Sequence, residues 1–343
     1  MSAAPECIPV ADPFGAALDP ALPTVARALD PSAVAAVFDR GLPRLARENG
    51  RVQVKAIRVI RHKPGKRCVI LYDVRVERPG MKREKTMLIG KVRARRFGTE
   101  GFRSQEAFWK AGFFKGCVDG IAVPEPVGVL PEFHMWLQRK VRGVTASELL
   151  AGPDGMALAR RIAEAIHKVH LAGVPSEKSH TMADELRILH ECLARVGETR
   201  PELRQRIANL LKACDQLGGS LPAPRTCGIH RDFYPAQVIV DRARLWLIDF
   251  DLYCKGDPSL DVGNFIGHVA EESLRALGDA AAWRDREVAL EERFIELTGA
   301  AARPAVRAYT TLTLARHVYL STQFPERTKF TEPLLALCEE RLR

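Results

Sequence analysis

The hydrophobic period of this chain changes once, and that change limits what it can fold into. Between residues 52 and 92 the pattern is that of a β-meander: Val52–Ile60, Cys68–Val76 and Thr86–Val92 read as strands, separated by a turn at 62–67 centred on Pro64-Gly65 and a basic loop at 78–83. A helix is expected over 99–111, and further strands at 127–130 and 134–138. After Val144 the period becomes helical. Leu158, Ile162, Ile166 and Val169 form a stripe in a helix over 153–172, stopped by Gly173 with Pro175 beyond it. Helices are expected over 182–217, 258–297 and 304–324, with one short hairpin between the first and second of these. Ahead of the meander, Asp30-Pro31 predicts an N-cap and first helical residue for a short helix over 31–38. Residues 1–23, rich in Pro, Ala and Asp, are expected to lack order up to Leu22. A run of strands followed by a run of helices implies an α+β chain with a small β-rich lobe and a larger helical one.

Length and charge narrow the class. The 343 residues suffice for two domains, and 46% hydrophobic with 27% charged is ordinary for a globular chain. No apolar run reaches the roughly 20 residues that span a bilayer, and the N-terminus lacks a secretory pattern. The eight cysteines include no Cys-x-x-Cys pair, so neither a zinc site nor a dithiol motif is indicated, and a reducing cytoplasm is expected. The net charge of +10 is uneven: residues 1–142 hold 26 basic and 14 acidic residues. That bias suits a polyanion such as a nucleotide phosphate chain, or simply an arginine-rich surface. A nucleic-acid partner is not expected, because interleaved aromatics and any known nucleic-acid motif are missing.

The chemistry concentrates in Cys227-Gly-Ile-His230-Arg231-Asp232-Phe-Tyr-Pro-Ala-Gln237 and Leu247-Ile-Asp249-Phe-Asp251. Gln237–Val240 and Leu245–Ile248 read as two strands joined by 241–244. Pairing Val240 with Leu245 brings Gln237 beside Ile248, so Gln237 and Asp249 leave the open end of the ribbon together, a few residues from Asp232. Three oxygen-bearing side chains at one point suit Mg²⁺, which prefers hard oxygen ligands completed by phosphate and water. Phosphoryl transfer from a nucleotide–metal complex needs such a set.

His230-Arg231-Asp232, then Gln237, then Ile248-Asp249-Phe250-Asp251, resembles the catalytic loop and metal motif of the protein-kinase-like fold. The version here is most similar to the aminoglycoside phosphotransferase and choline kinase family, whose loop usually reads His-Gly-Asp-x-x-x-x-Asn. That family's Gly-Asp-Pro-x-x-Asp is matched by Gly256-Asp257-Pro258-Ser-Leu-Asp261. The resemblance runs from about residue 25 to the C-terminus. It implies a two-lobed fold: an N-terminal extension with a short helix (1–48), a nucleotide-binding lobe (49–141), and a helical lobe with catalytic loop and acceptor site (142–343). It implies ATP or GTP with Mg²⁺ as cofactors and a small-molecule hydroxyl acceptor (a sugar, amino alcohol or aminoglycoside-like metabolite), with no membrane partner. Asp232 would be the catalytic carboxylate, and Asp249, Asp251 and Gln237 metal ligands, with Gln237 departing from the usual Asn by one methylene. His230 and Asp261 would support the loop, Asp261 by accepting backbone amides. Only 252–256 separate Asp251 from the Asp257-Pro258 helix start, too little for an activation loop, which favours a small acceptor over a protein.

The first lobe should supply a lysine for the phosphates. Lys91 shares a strand face with Met87 and Ile89, and Glu106 shares a helical stripe with Phe102, Trp109 and Phe113. Either Lys91 and Glu106 form an inward pair, or Val92 faces inward and Glu106 pairs with Lys110. Lys66 and Arg67, in a basic turn that replaces a glycine-rich loop, either contact phosphates or are solvated. The crossover at 134–140 would offer its backbone to the base, near Gln138 and Lys140. Gln237 and the missing glycine loop also admit a catalytically impaired, pseudokinase-like binding protein. His167 and His170, one helical turn apart, lack a third ligand and read as core or surface histidines.

Overall fold

A computed structural model describes residues 8–46, 50–94 and 98–342. The chain divides into two compact units, Met1–Arg142 and Gly143–Arg343.

The first unit contains β1 (Val10–Ala11), α1 (Val25–Leu29), α2 (Pro31–Gly41), α3 (Pro43–Ala46), β2 (Arg51–Lys63), β3 (Arg67–Glu77), β4 (Glu84–Arg93), α4 (Glu100–Lys110), β5 (Ile121–Ala122), β6 (Pro126–Leu130) and β7 (Met135–Arg139). Six strands form a sheet in the order β1-β2-β3-β4-β7-β6, with β2, β3 and β4 an antiparallel meander. Asp30 caps α2 by accepting the Ser32 and Ala33 N–H groups, with Pro31 at the first helical position.

One face of the sheet is the core. Val52 and Ile57 of β2, Ile70 and Tyr72 of β3, and Leu88 and Val92 of β4 pack with Val34, Val37 and Phe38 of α2. Tyr72 is edge-on to Phe38 at 5.1 Å and donates its hydroxyl to the Ala28 carbonyl. Strand alternation then sends Met87, Ile89 and Lys91 to the other, half-buried face.

Two expectations are corrected here. Residues 8–23 are ordered: β1 runs parallel to β2, Asp12 accepts the Ala16 and Ala17 amides, and Ala16 and Leu22 are buried. Short-range capping and edge pairing supply order where composition suggested none. In α4 the inward residues are Gln105 and Phe108, not Glu106. Gln105 donates to the Pro124 carbonyl, which satisfies its buried amide, and this rotates the helix away from the apolar stripe read in the sequence.

The second unit contains β8 (Val144–Thr145), α5 (Ala146–Leu150), α6 (Gly155–Leu171), α7 (Met182–Thr199), α8 (Arg204–Gly219), β9 (Cys227–Ile229), β10 (Val238–Asp241), β11 (Arg244–Leu247), β12 (Cys254–Gly256), α9 (Pro258–Leu277), α10 (Arg284–Thr298), α11 (Arg303–Thr322) and α12 (Thr331–Arg341). The hairpin β10–β11 has the expected register, Val240 opposite Leu245 and Val238 opposite Leu247. β9 and β12 pair antiparallel. α9 is buried along nearly all its length. Gly263 and Gly267 let it approach α11 closely: a Cβ on Gly263 would lie 2.5 Å from Cβ of Tyr309, and one on Gly267 2.7 Å from Cβ of Thr313. The helical pattern over 258–297 is two helices, because Gly278 at φ 75° ends α9. Among the described residues, no helix is long and apolar enough to cross a membrane, and the seven cysteines are free.

Candidate active site

The site in the second unit is assembled by α9. Asp257 caps this helix through the Ser259 N–H, with Pro258 at the first position. That start sets the phase that turns Asp261 and, one turn later, Asn264 toward the segment after β9. Asp261 is completely buried and accepts the His230 N–H at 2.9 Å and the Arg231 N–H at 2.6 Å. The same carboxylate lies 2.9 Å from His170 Nε2, on α6. Asn264 donates to the Phe233 carbonyl at 2.9 Å and accepts from Arg316 of α11 at 2.7 Å. Phe233 is fully buried against Phe265, with ring centroids 5.2 Å apart. Burying a ring of that size contributes roughly 2 kcal/mol, so the loop is held by its backbone and by one apolar anchor.

Ile248 ties this loop to the hairpin. Its N–H donates to the Gln237 carbonyl at 3.0 Å, and its carbonyl accepts from His230 Nε2 at 2.9 Å. Because a carbonyl only accepts, the His230 proton sits on Nε2, and Nδ1 faces a buried environment without a partner among the described residues. These two bonds therefore bring the His230 ring and the backbone of residues 237 and 248 to one place. Asp232 follows the first by two positions, and Asp249 follows the last by one. Asp251 lies in the short turn over Phe250–Leu252. Asp232, Asp249 and Asp251 are half-buried, while Gln237 is buried.

Two residues of this knot hold left-handed backbone, Arg231 at φ 70° and Asp249 at φ 67°. Such conformations cost about 1–2 kcal/mol for a non-glycine residue, and here the surrounding hydrogen bonds enforce them. Arg231 contributes charge rather than shape. Burial pushes the Glu185 carboxyl up, but a 2.5 Å contact from His180 and the charges of Arg316 and Arg231 outweigh it and hold Glu185 below its usual value. Among the described residues, no group of three His, Cys, Asp or Glu side chains is arranged to hold a metal by itself.

In the first unit, Lys91 pairs across the sheet with Val69 and Trp136, and its ammonium stands 5.5 Å from the centroid of the Trp136 indole. Glu106 is ion-paired instead with Arg44 and with Lys110, the latter at 3.6 Å. Burial raises the Glu106 pKa, yet these two cations hold it below the ordinary value. The expected Lys91–Glu106 pair thus gives way to one in which α3 supplies the cation, a partner with no signal in the strand–helix pattern. Lys66 and Arg67 sit at a turn fixed by Asp19, which accepts the Gly65 N–H and the His62 Nε2–H, each at 2.8 Å. Burial, with the charges of Lys66, Arg67 and Arg61, pulls the Lys63 pKa down. Gln138 is buried opposite Ile89, and its Oε1 has no partner among the described residues. Lys140 is exposed and donates its N–H to the Met87 carbonyl.

A model of the phosphotransferase enzyme family matches residues 114–309. The chain belongs to this family. Its fold is the protein-kinase-like α+β fold, shared with several solved structures. Spectinomycin phosphotransferase APH(9)-Ia, solved with ADP and spectinomycin, is 10% identical; the match covers 90% of this chain and 98% of that one, with a TM-score of 0.59. Aminoglycoside phosphotransferase APH(4)-Ia is 17% identical over 85% of this chain and 94% of that one, at 0.56. A choline/ethanolamine kinase family protein from Mesorhizobium loti is 13% identical over 91% and 94%, also at 0.56. No curated protein sequence matches the chain.

The sequence reading missed three residues of the phosphotransferase's loop scaffold. Asn264 had a usable signal, since it lies three positions after Asp261 within an apolar stretch and so shares its helix face. His170 was visible only as half of a histidine pair; its partner is 91 positions away. Arg316, 52 positions beyond Asn264, carried no local signal.

Proposed function

We propose that this protein transfers the γ-phosphoryl group of ATP or GTP, with Mg²⁺, to a hydroxyl of a small molecule such as a sugar, amino alcohol or aminoglycoside-like metabolite. The observation that carries this reading is Ile248, bonded on one side to Gln237 and on the other to His230. Asp232 lies two positions beyond His230, Asp249 one beyond Ile248, and Gln237 is itself a partner, which supports a reading in which these three act together.

In this reading Asp232 accepts a hydrogen bond from the acceptor hydroxyl, aligns its oxygen for in-line attack and takes the proton as the new O–P bond forms and the bond from the γ-phosphorus to the bridging oxygen breaks, releasing the nucleoside diphosphate. The donor set fits a small hard cation: Asp249 and Asp251 offer carboxylate oxygens and Gln237 a carboxamide oxygen, with nucleotide phosphate and water to complete the shell. Mg²⁺ held there would neutralise charge on the phosphate oxygens. Lys91 would act on the same phosphates, and the mutually repelling cations at Lys63, Lys66 and Arg67 support a further anion contact, since an anion would relieve their repulsion. Gln138 and Lys140, near the end of β7, would lie beside the base. His230 and Asp261 hold the loop in shape before the acceptor arrives, so its ordering cost is met during folding. Structures that name ADP, AMP-PNP, hygromycin B and spectinomycin as ligands belong to proteins of the same fold and support nucleotide and small-molecule binding.

The test is a nucleotide-consumption screen against sugars, amino alcohols and aminoglycosides, followed by Asp232→Asn and Asp249→Asn. Each substitution should lower turnover at least a thousandfold with an unchanged melting profile. Wild-type-like turnover of an accepted substrate by either variant would refute the assigned roles. Metal-independent nucleotide binding with no turnover of any acceptor would favour the impaired binding protein.

A further inference from the structure

We propose that the second unit carries a ligand site separate from the phosphotransfer residues, for a small apolar molecule with one negative charge, and that its occupancy is felt by the catalytic loop. The site is a cavity of about 630 Å³ behind that loop, within the range that drug-sized ligands fill. Its walls are largely apolar, from Leu171 at the end of α6, Pro222 and Pro224 of the segment leading to β9, and Ala302 and Pro304 at the start of α11. Among the described residues, none of Asp232, Gln237, Asp249 or Asp251 borders it.

Its charges favour an anion. Arg225 lines the cavity, is exposed, and makes no ion pair among the described residues. Asp257, the acidic lining group, is already engaged by the Ser259 N–H and the Tyr309 hydroxyl. Burial, with the His170 and Arg293 charges, holds His167 below its usual pKa. An apolar body beside one unpaired guanidinium selects a hydrophobic anion over a cation or a sugar.

Two features join this cavity to the loop. Cys227, on its wall, begins β9, which runs directly into His230. His170, also on its wall, bonds the Asp261 carboxylate that accepts the His230 and Arg231 amides. Leu221, Pro222, Ala223, Pro224 and Thr226 also border a second cavity, of about 300 Å³. Pro222 and Pro224 have no N–H with which to anchor this segment. A ligand in the first cavity therefore meets Cys227, which leads into the loop, and His170, which bonds the Asp261 carboxylate that holds it.

The probe is 1-anilinonaphthalene-8-sulfonate, an aromatic body with one fixed negative charge, added to the folded full chain. Fluorescence titration should give one saturable site that AMP-PNP with Mg²⁺ does not displace. Ala223→Trp and Ala302→Trp, each placing an indole in the cavity, should weaken binding at least tenfold, and Arg225→Ala severalfold, with circular dichroism and melting unchanged. In ¹⁵N-labelled protein, saturating probe should shift the amide resonances of His230 and Arg231. Absence of saturable binding, displacement by the nucleotide, or wild-type affinity in both tryptophan variants would overturn the site. Unmoved His230 and Arg231 amides would overturn the coupling. These outcomes do not depend on the phosphotransfer reading, which stands or falls on turnover.

Discussion

His317 shows how a single residue sets a condition on this fold. It lies on α11 beside Arg316, is 3% exposed, and its ring centroid is 4.5 Å from that of His268, which stacks on Tyr234 of the loop after β9 at 4.7 Å. Burial pulls its pKa from the usual 6.5 to about 3, and the charges of Arg316, Arg327 and Arg275 act in the same direction. The folded protein therefore keeps His317 neutral where the unfolded chain binds a proton. Stability from this residue is fully present above about pH 6.5 and is lost as pH falls toward 3. The slope is about 1.4 kcal/mol per pH unit, so roughly 2 kcal/mol should go by pH 5. Denaturant titrations at pH 7, 6 and 5 should show that loss in the wild type and a flatter dependence in His317→Gln. Parallel curves for the two proteins would show that His317 does not drive the acid sensitivity.

At the level of elements, the loop between β9 and β10 is a strained segment held from three helices. Its residue 231 is a glycine in the family's usual pattern, and the structure gives the reason: φ is 70° there. Arginine tolerates this conformation at a cost, whereas a β-branched residue tolerates it poorly. Arg231→Gly should change the unfolding free energy by less than about 1 kcal/mol, since relief of strain offsets greater freedom in the unfolded chain. Arg231→Val should lose about 2 kcal/mol or more. Equal stability of the two variants by chemical denaturation would mean that the loop is not strained. Elements of this kind divide what the sequence revealed from what it hid. The β10–β11 register, the Asp30 cap and the Asp257-Pro258 start were legible because each depends on neighbours in sequence. The Glu106–Arg44 pair spans 62 positions and the His170–Asp261 contact 91, so no periodicity encodes them. The break at Gly278 was written in the sequence but was masked by apolar spacing that continued on both sides. α12 ends the chain as a helix whose apolar positions make no single stripe, and it was not anticipated.

On the scale of the whole molecule, each unit has a buried apolar cluster among its described residues. One joins the sheet to α2 in Met1–Arg142, and the other joins α7, α8, α9, α11 and α12 in Gly143–Arg343. The residues assigned above to nucleotide and acceptor are divided between the units: Lys91 and the cations at 63–67 belong to the first, and Asp232, Gln237 and Asp249 to the second. Thermodynamic linkage turns that division into a test, because a ligand stabilises only what must be folded to bind it. Hydrogen exchange followed through a denaturant series should resolve two cooperative openings that map to the two units. AMP-PNP with Mg²⁺ at a hundred times its Kd should then raise both, by up to about 2.7 kcal/mol. Nucleotide without the metal should protect the second unit less, since Asp249, Asp251 and Gln237 are assigned to the phosphates only through a cation. Protection confined to Met1–Arg142, with or without Mg²⁺, would mean that the 230–251 knot takes no part in holding the nucleotide, and the assignment of its carboxylates would fail with it.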